Sequence, residues 1–127
     1  MAITVNSAAV VRDRLEGDWW FVSVYSADLS GCEELKAAVT GKSHYIRKIQ
    51  ILAQSVTDIT FTIGAGETSD AVTTAYLGPI PLPDAGGGAI FDFGPDHVLK
   101  IAVSSALTID ASAACPTMVL VWGKTAT

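Results

Sequence analysis

The sequence predicts an all-β protein, an antiparallel jelly-roll-like β-sandwich of about eight strands with one short helix and an N-terminal arm. Three observations carry this expectation. Between residues 43 and 103, short apolar runs recur roughly every 8–12 residues, separated by the Gly-, Pro- and Asp-bearing stretches GAGETSD, GPIPLPDAG and GPD. Several of the runs alternate apolar with polar residues, the pattern of antiparallel sheets with one solvated face. The Cys…Trp…Cys spacing of a seven-stranded immunoglobulin-type sandwich is missing, which favours a jelly roll of eight strands in two sheets.

Taken in order, residues 1–16 hold a short candidate strand at residues 3–5 and then RDRLE, read as an arm or edge element. Residues 17–127 form the single sandwich domain. DWWFVSVYS places Trp20, Val22 and Val24 on one side and Trp19, Phe21 and Tyr25 on the other. A strand apolar on both faces is either central in a covered sheet or pressed against another chain. SGCEELKAAV is the helical candidate, because Ser30 with Glu33 three residues later forms a capping box and Gly41 ends the turn. SHYIRKIQILA puts Ile49, Ile51 and Ala53 on one face and Ile46, Lys48, Gln50 and Leu52 on the other.

The strands expected after it cover residues 56–64, 71–77, 88–93, 98–103 and 106–110. In them Ile59, Phe61 and Ile63 share a face, as do Ala89, Phe91 and Phe93, and Leu99, Ile101 and Val103. Pro79, Pro81 and Pro83 cannot all donate to a ladder, so residues 78–88 are a loop or an edge extension. The closing strand, TMVLVWG, is apolar on both faces and is expected beside the Trp19 strand, near the sheet centre or at a subunit contact.

The 127 residues suffice for one domain with a real core. Hydrophobic residues make up 50% and charged residues 17%, an apolar excess that points to a homo-oligomer or to a protein lying on a larger assembly. The net charge of −5 argues against a general nucleic-acid binder. Every charged residue between Ile49 and Leu99 is acidic, whereas Lys36, Lys42, Arg47 and Lys48 precede that stretch. This sorting suits head-to-tail or partner complementarity; it is equally the outcome of solvated strand faces. No apolar stretch reaches membrane-spanning length, and no secretory leader is legible at the N-terminus. Cys32 and Cys115 both flank loops, so a bridge is geometrically feasible, while a reducing cytosol leaves such thiols free.

The residues outline no catalytic or metal chemistry. His44 and His97 are scattered, and a metal site needs three or four converging ligands. Asp96 and His97 lack a GxSxG elbow, GAGET lacks the GK[ST] of a phosphate cradle, and the Gly-rich 85–88 stretch lacks a strand–loop–helix context. Glu33 and Glu34 are neighbours and do not share a face of a helix. No catalytic, cofactor-binding or metal residue is expected. An aromatic platform for sugars is conceivable at Trp19 and Tyr25, although the carboxamides are limited to Asn6, Gln50 and Gln54.

From Leu35 onward, about 90 of the 127 residues resemble small jelly-roll structural proteins of tailed-phage virions, the capsid decoration or cement type. The elements are LKAAVTGKSHYIRKIQI, DITFTIGAGE, LGPIPLPDAGGGAIFDF, HVLKIAVSSALTIDASA and the closing MVLVWG. The resemblance implies a non-enzymatic protein without cofactors, made in the host cytoplasm and carried on the capsid surface. Its partners would be the major capsid protein and its own copies as a dimer or trimer, with no nucleic acid and no membrane. Candidate capsid or protomer contacts are then Ile3, Val5, Val10, Val11, Trp19, Trp20 and Trp122, with the loops at residues 64–70 and 79–88 facing outward or lying at protomer contacts. The other reading is a receptor-binding, glycan-binding jelly-roll module of a tail or fibre.

Overall fold

The computed structural model describes residues 9–14, 19–54, 58–82, 87–94 and 98–127. The strands are β1 (Ala9–Arg14), β2 (Trp19–Ser26), β3 (Glu33–Lys36), β4 (Ser43–Ala53), β5 (Ile59–Thr68), β6 (Ala71–Leu82), β7 (Gly87–Asp92), β8 (Leu99–Lys100), β9 (Leu107–Ala111) and β10 (Thr117–Ala126). All pairings are antiparallel. The first sheet runs β1-β2-β10-β4-β7, with β8 also on β4, and the second runs β3-β9-β5-β6.

Setting aside β1 and the two-residue β8, the pairs are nested. β2 joins β10, β3 joins β9, β4 joins β7 and β5 joins β6, so first meets last and the innermost pair is a hairpin. A long hairpin rolled into two four-stranded sheets is the jelly roll the sequence predicts. The hairpin closes at Ser69 and Asp70, whose φ values of 53° and 61° are those of a two-residue I′ turn.

The core lies between the sheets. Val22, Val24, Ile49, Ile51, Val119 and Val121 of the first sheet and Phe61, Ile63, Leu107 and Ile109 of the second are all fully buried. Burying each such side chain contributes about 1.5–3 kcal/mol. Leu29, from the β2–β3 connection, and Ile101, just past β8, join the same core.

Four local expectations are corrected. No α-helix occurs among the described residues, and SGCEELK supplies β3 instead. Cys32 stands at φ 58°, which breaks a helix start, and Leu35 is buried against the core while Glu33 and Glu34 pair with β9. Tertiary pairing thus overrides a helical capping pattern. Ile46 faces inward because β4 bulges at Arg47, where Lys48 faces Trp122 but Ile46 faces Gly123. Val103 is 59% exposed because its strand ends at Lys100. Residues 64–68 are not a loop but the end of β5, whereas Pro79 and Pro81 lie in β6 as the expected edge extension, where a missing donor is tolerated.

Cys32 and Cys115 are both buried and unbridged. Burial, with Glu67 and Asp110 nearby, pushes the Cys32 thiol up to about 11. Cys115 Sγ instead lies 3.3 Å from Thr117 Oγ1.

Candidate functional site: the outward face of the first sheet

The register of the first sheet sorts its outward side chains into four rows across β2, β10 and β4 to the edge. Trp19, Lys124, Tyr45 and Lys100 make the first, and Phe21, Trp122, Lys48 and Asp92 the second. Ser23, Leu120, Gln50 and Ile90 form the third, and Tyr25, Met118, Leu52 and Gly88 the fourth. The face therefore grades from aromatic and cationic at one end to aliphatic at the other.

At the first end, cations sit over rings. Lys48 Nζ is 4.9 Å from the Trp122 centroid, Lys124 Nζ is 5.5 Å from Trp19 and 5.7 Å from Tyr45, and Lys100 Nζ is 5.8 Å from Tyr45. The bulge at Arg47 adds a fourth cation, its Cζ 5.8 Å from the Trp19 centroid. Phe21 and Trp122 pack with ring centroids 5.0 Å apart. Each exposed cation–π pair is worth about 0.5–1 kcal/mol, so the rings fix where the charges stand more than they hold the fold together.

At the other end Ile90 is 57% exposed, Leu52 45%, Tyr25 42% and Met118 37%. Tyr25, Leu52 and Met118, with Gly87, Gly88 and Pro116, border a shallow open depression. Position 88 has no room for a side chain, since a Cβ there would lie 2.7 Å from the Ile51 carbonyl oxygen.

The inward side of the basic, aromatic end of the sheet is a polar anchor. Trp20 donates from Nε1 to Thr125 Oγ1 at 2.9 Å, and His44 Nδ1 lies 2.8 Å from the same hydroxyl. His44 Nε2 lies 2.8 Å from the Ala37 carbonyl oxygen, which makes it the donor and Nδ1 the acceptor from Thr125. Burial, with Lys36 nearby, lowers the His44 pKa below 6.5, so the imidazole is held neutral. The Trp20 and His44 rings meet edge to face at 5.9 Å, and Gly123 leaves room for the indole, whose Cζ2 would lie 2.9 Å from a Cβ there.

The expected contact residues fall into three groups. Trp19 and Trp122 stand on the outward face. Trp20 is 4% exposed and faces the core, so it offers no contact surface; its place in the alternation, opposite Gly123, puts it inside. Val10 and Val11 lie in β1, opposite Val24 and Ser23 of β2. Ile3, Val5, Asp96 and His97 lie outside the described residues, as do residues 83–86 of the proline- and glycine-rich segment. The sequence alone does not bring Arg47, Lys48, Lys100 and Lys124 together. Their grouping depends on pairing between distant strands and on the bulge, although the alternation within each strand already puts Lys48 and Lys124 opposite the core.

Among the described residues, no three His, Cys, Asp or Glu side chains converge as a metal site. The molecule is an antiparallel jelly roll with one graded, basic-to-apolar outward sheet face. No protein-family model matches the chain, and no curated protein matches its sequence. Two solved structures show distant likeness. A virus-like particle of the extra small virus of the giant freshwater prawn Macrobrachium rosenbergii aligns at TM-score 0.39 and 14% identity, covering 98% of this chain and 82% of that one. The CBM22-1 xylan-binding domain of Paenibacillus barcinonensis Xyn10C aligns at TM-score 0.32 and 10% identity, covering 95% and 81%. The jelly-roll assignment rests on strand order.

Proposed function

We propose that this chain is a non-enzymatic virion structural protein, a capsid decoration or cement protein. It binds the outer surface of a tailed-phage head and braces contacts between major capsid proteins. The observation that carries the reading is the outward face of the first sheet. Four large apolar side chains stand 37–57% exposed beside fixed cations, on a rigid sheet whose other face is core. A contiguous exposed apolar patch rimmed by charge is a protein-contact surface. Bracing a shell demands such a face and a stiff scaffold and requires no reacting group. The phage-type segments from Leu35 onward agree with this use.

The test is co-sedimentation with purified phage heads stripped of their decoration protein. Wild-type protein is expected to pellet with heads, and Leu52→Asp/Ile90→Asp to lose at least tenfold in affinity while melting normally. Failure of the wild type to bind any head overturns the reading.

The half-exposed rings of Trp19, Tyr45 and Trp122 favour a second reading, a glycan-binding module of a tail or fibre. Cations already occupy positions over those rings, which counts against sugar stacking there. Glycan-array binding abolished by Trp19→Ala supports that alternative; a blank array removes it.

A further inference from the structure

We infer that the outward face of the first sheet takes an extended protein segment with carboxylates at one end and a large apolar side chain at the other. The inference rests on the reading of this face as a protein-contact surface and names the chemistry of the partner. Its test uses peptides and no phage head, so either can fail without the other.

In a chain of net charge −5, four of the eight Lys and Arg residues gather at one end of one face. Arg47 and Lys100 are exposed, and Lys48 and Lys124 are half-buried. Among the described residues their contacts are with the rings of Trp19, Tyr45 and Trp122, and no carboxylate stands within ion-pair distance of them. Asp92 pairs with Lys48 in register, but its Oδ1 accepts from the Gly94 amide at 2.8 Å. Asp13 of β1 pairs with Phe21 at the far end of the same row. The positive end is therefore the first row with the bulge, Lys124, Lys100 and Arg47. These cations are held over rings, so a bound carboxylate orders less side chain than it would around free lysines.

The opposite end of the face is a seat for an apolar group, the depression bordered by Tyr25, Leu52 and Met118. A concave apolar seat receives a protruding side chain; it has nothing to push into a lipid bilayer. Sugars and nucleic-acid bases would have to stack on rings over which cations already stand, and neither would fill the apolar end. A polypeptide carries both kinds of group on one backbone, and complementary charge at one end fixes its register. The spacing follows from the sheet. On β2 the first and fourth rows are marked by Trp19 and Tyr25, six residues or about 20 Å apart. An extended segment therefore needs about six residues from its carboxylates to its apolar anchor. Ser23, Leu120 and Gln50, half-buried in the third row, leave it an uncharged path between the two ends.

Fluorescence polarisation tests the inference with a labelled peptide of three glutamates, a spacer of about four Ser/Thr residues and a terminal Leu-Phe pair. Wild type is expected to bind it, and to bind a version without the spacer about fivefold more weakly. Arg47→Glu/Lys124→Glu and Leu52→Asp are each expected to lose about tenfold in affinity while melting as wild type does. Replacing the peptide's glutamates with lysines should abolish binding to wild type and restore it to Arg47→Glu/Lys124→Glu, a gain no misfolded variant would show. Wild type that leaves the peptide free at about 0.5 mM protein overturns the inference. So do indifference to the spacer, folded variants that bind as wild type does, and oligothymidylate or phosphatidylserine vesicles bound as tightly as the peptide.

Discussion

The two outward faces of the sandwich are built from different materials. The first sheet turns rings, cations and aliphatic side chains outward, in rows set by register. The second turns out hydroxyls and carboxylates, and at Gly64 almost bare backbone. A Cβ on Gly64 would fall 1.9 Å from the Thr74 carbonyl oxygen, so β6 lies close over the outward side of β5 there. Thr108, which the alternation also turns outward, is only 1% exposed and donates to the Gly66 carbonyl. One face is closed by its own backbone and the other left open. An open, side-chain-rich face beside a self-covered one indicates which side of the sandwich is available to bind.

That contrast breaks most severely at Gly64. Gly64→Ala forces β6 away from β5 and is expected to cost about 3 kcal/mol or more, read as a lower midpoint in urea unfolding. No outward residue of the first two rows should approach that cost. Next comes the polar anchor beneath the open face. Thr125→Val leaves Trp20 Nε1 and His44 Nδ1 without their shared hydroxyl, an expected loss of about 1–3 kcal/mol with an altered near-ultraviolet circular dichroism band.

The same anchor gives the molecule an acid limit. His44 has a folded pKa below its ordinary 6.5, so the unfolded chain binds the extra proton more readily. Its stabilisation is complete above pH 6.5 and is lost as pH falls from there through the depressed folded value. Urea midpoints measured from pH 8 down to pH 5 should fall for wild type and fall less for His44→Gln. Asp110 has the opposite sign: its raised pKa makes its ionised form unfavourable in the folded state. Asp110→Asn should therefore raise the midpoint at neutral pH and do less near pH 3. Equal shifts at both pH values would refute the assignment.

The smallest effects belong to the open face itself. Trp19→Ala should cost less than about 1 kcal/mol in stability. It should, however, remove much of the fluorescence quenched by iodide, an anion the surrounding cations attract, while Trp20 stays shielded. Caesium should quench less than iodide.

Much of this architecture is legible in the residues. The alternation Ile59, Phe61, Ile63 and the flanking turns define a two-sheet sandwich, and the limits of β2 and β4 coincide with the apolar runs that mark them. The two doubly apolar strands, β2 and β10, are neighbours as expected, with β10 at the sheet centre. What escaped depends on contacts between distant residues. Glu33 to Lys36 carries a helix signal that pairing with β9 overrules. The bulge at Arg47 has no local mark, yet it turns Ile46 inward and adds a guanidinium to the open face. The basic cluster draws on β4, β8 and β10, more than 70 residues apart along the chain, and no window of sequence contains it.

The nested pairing has a consequence in time. β10 lies between β2 and β4, so a strand synthesised after the nine others described is the one at the heart of the first sheet. Until it emerges, β2 and β4 face each other across a gap about 10 Å wide, two inter-strand spacings, each with an unpaired edge. A nascent chain at that stage presents a slot shaped for one strand of sequence TMVLVWGKTA. The β10 of a neighbouring chain fits it as well as its own does, so crowded synthesis favours exchange of this strand between copies over exchange of any other.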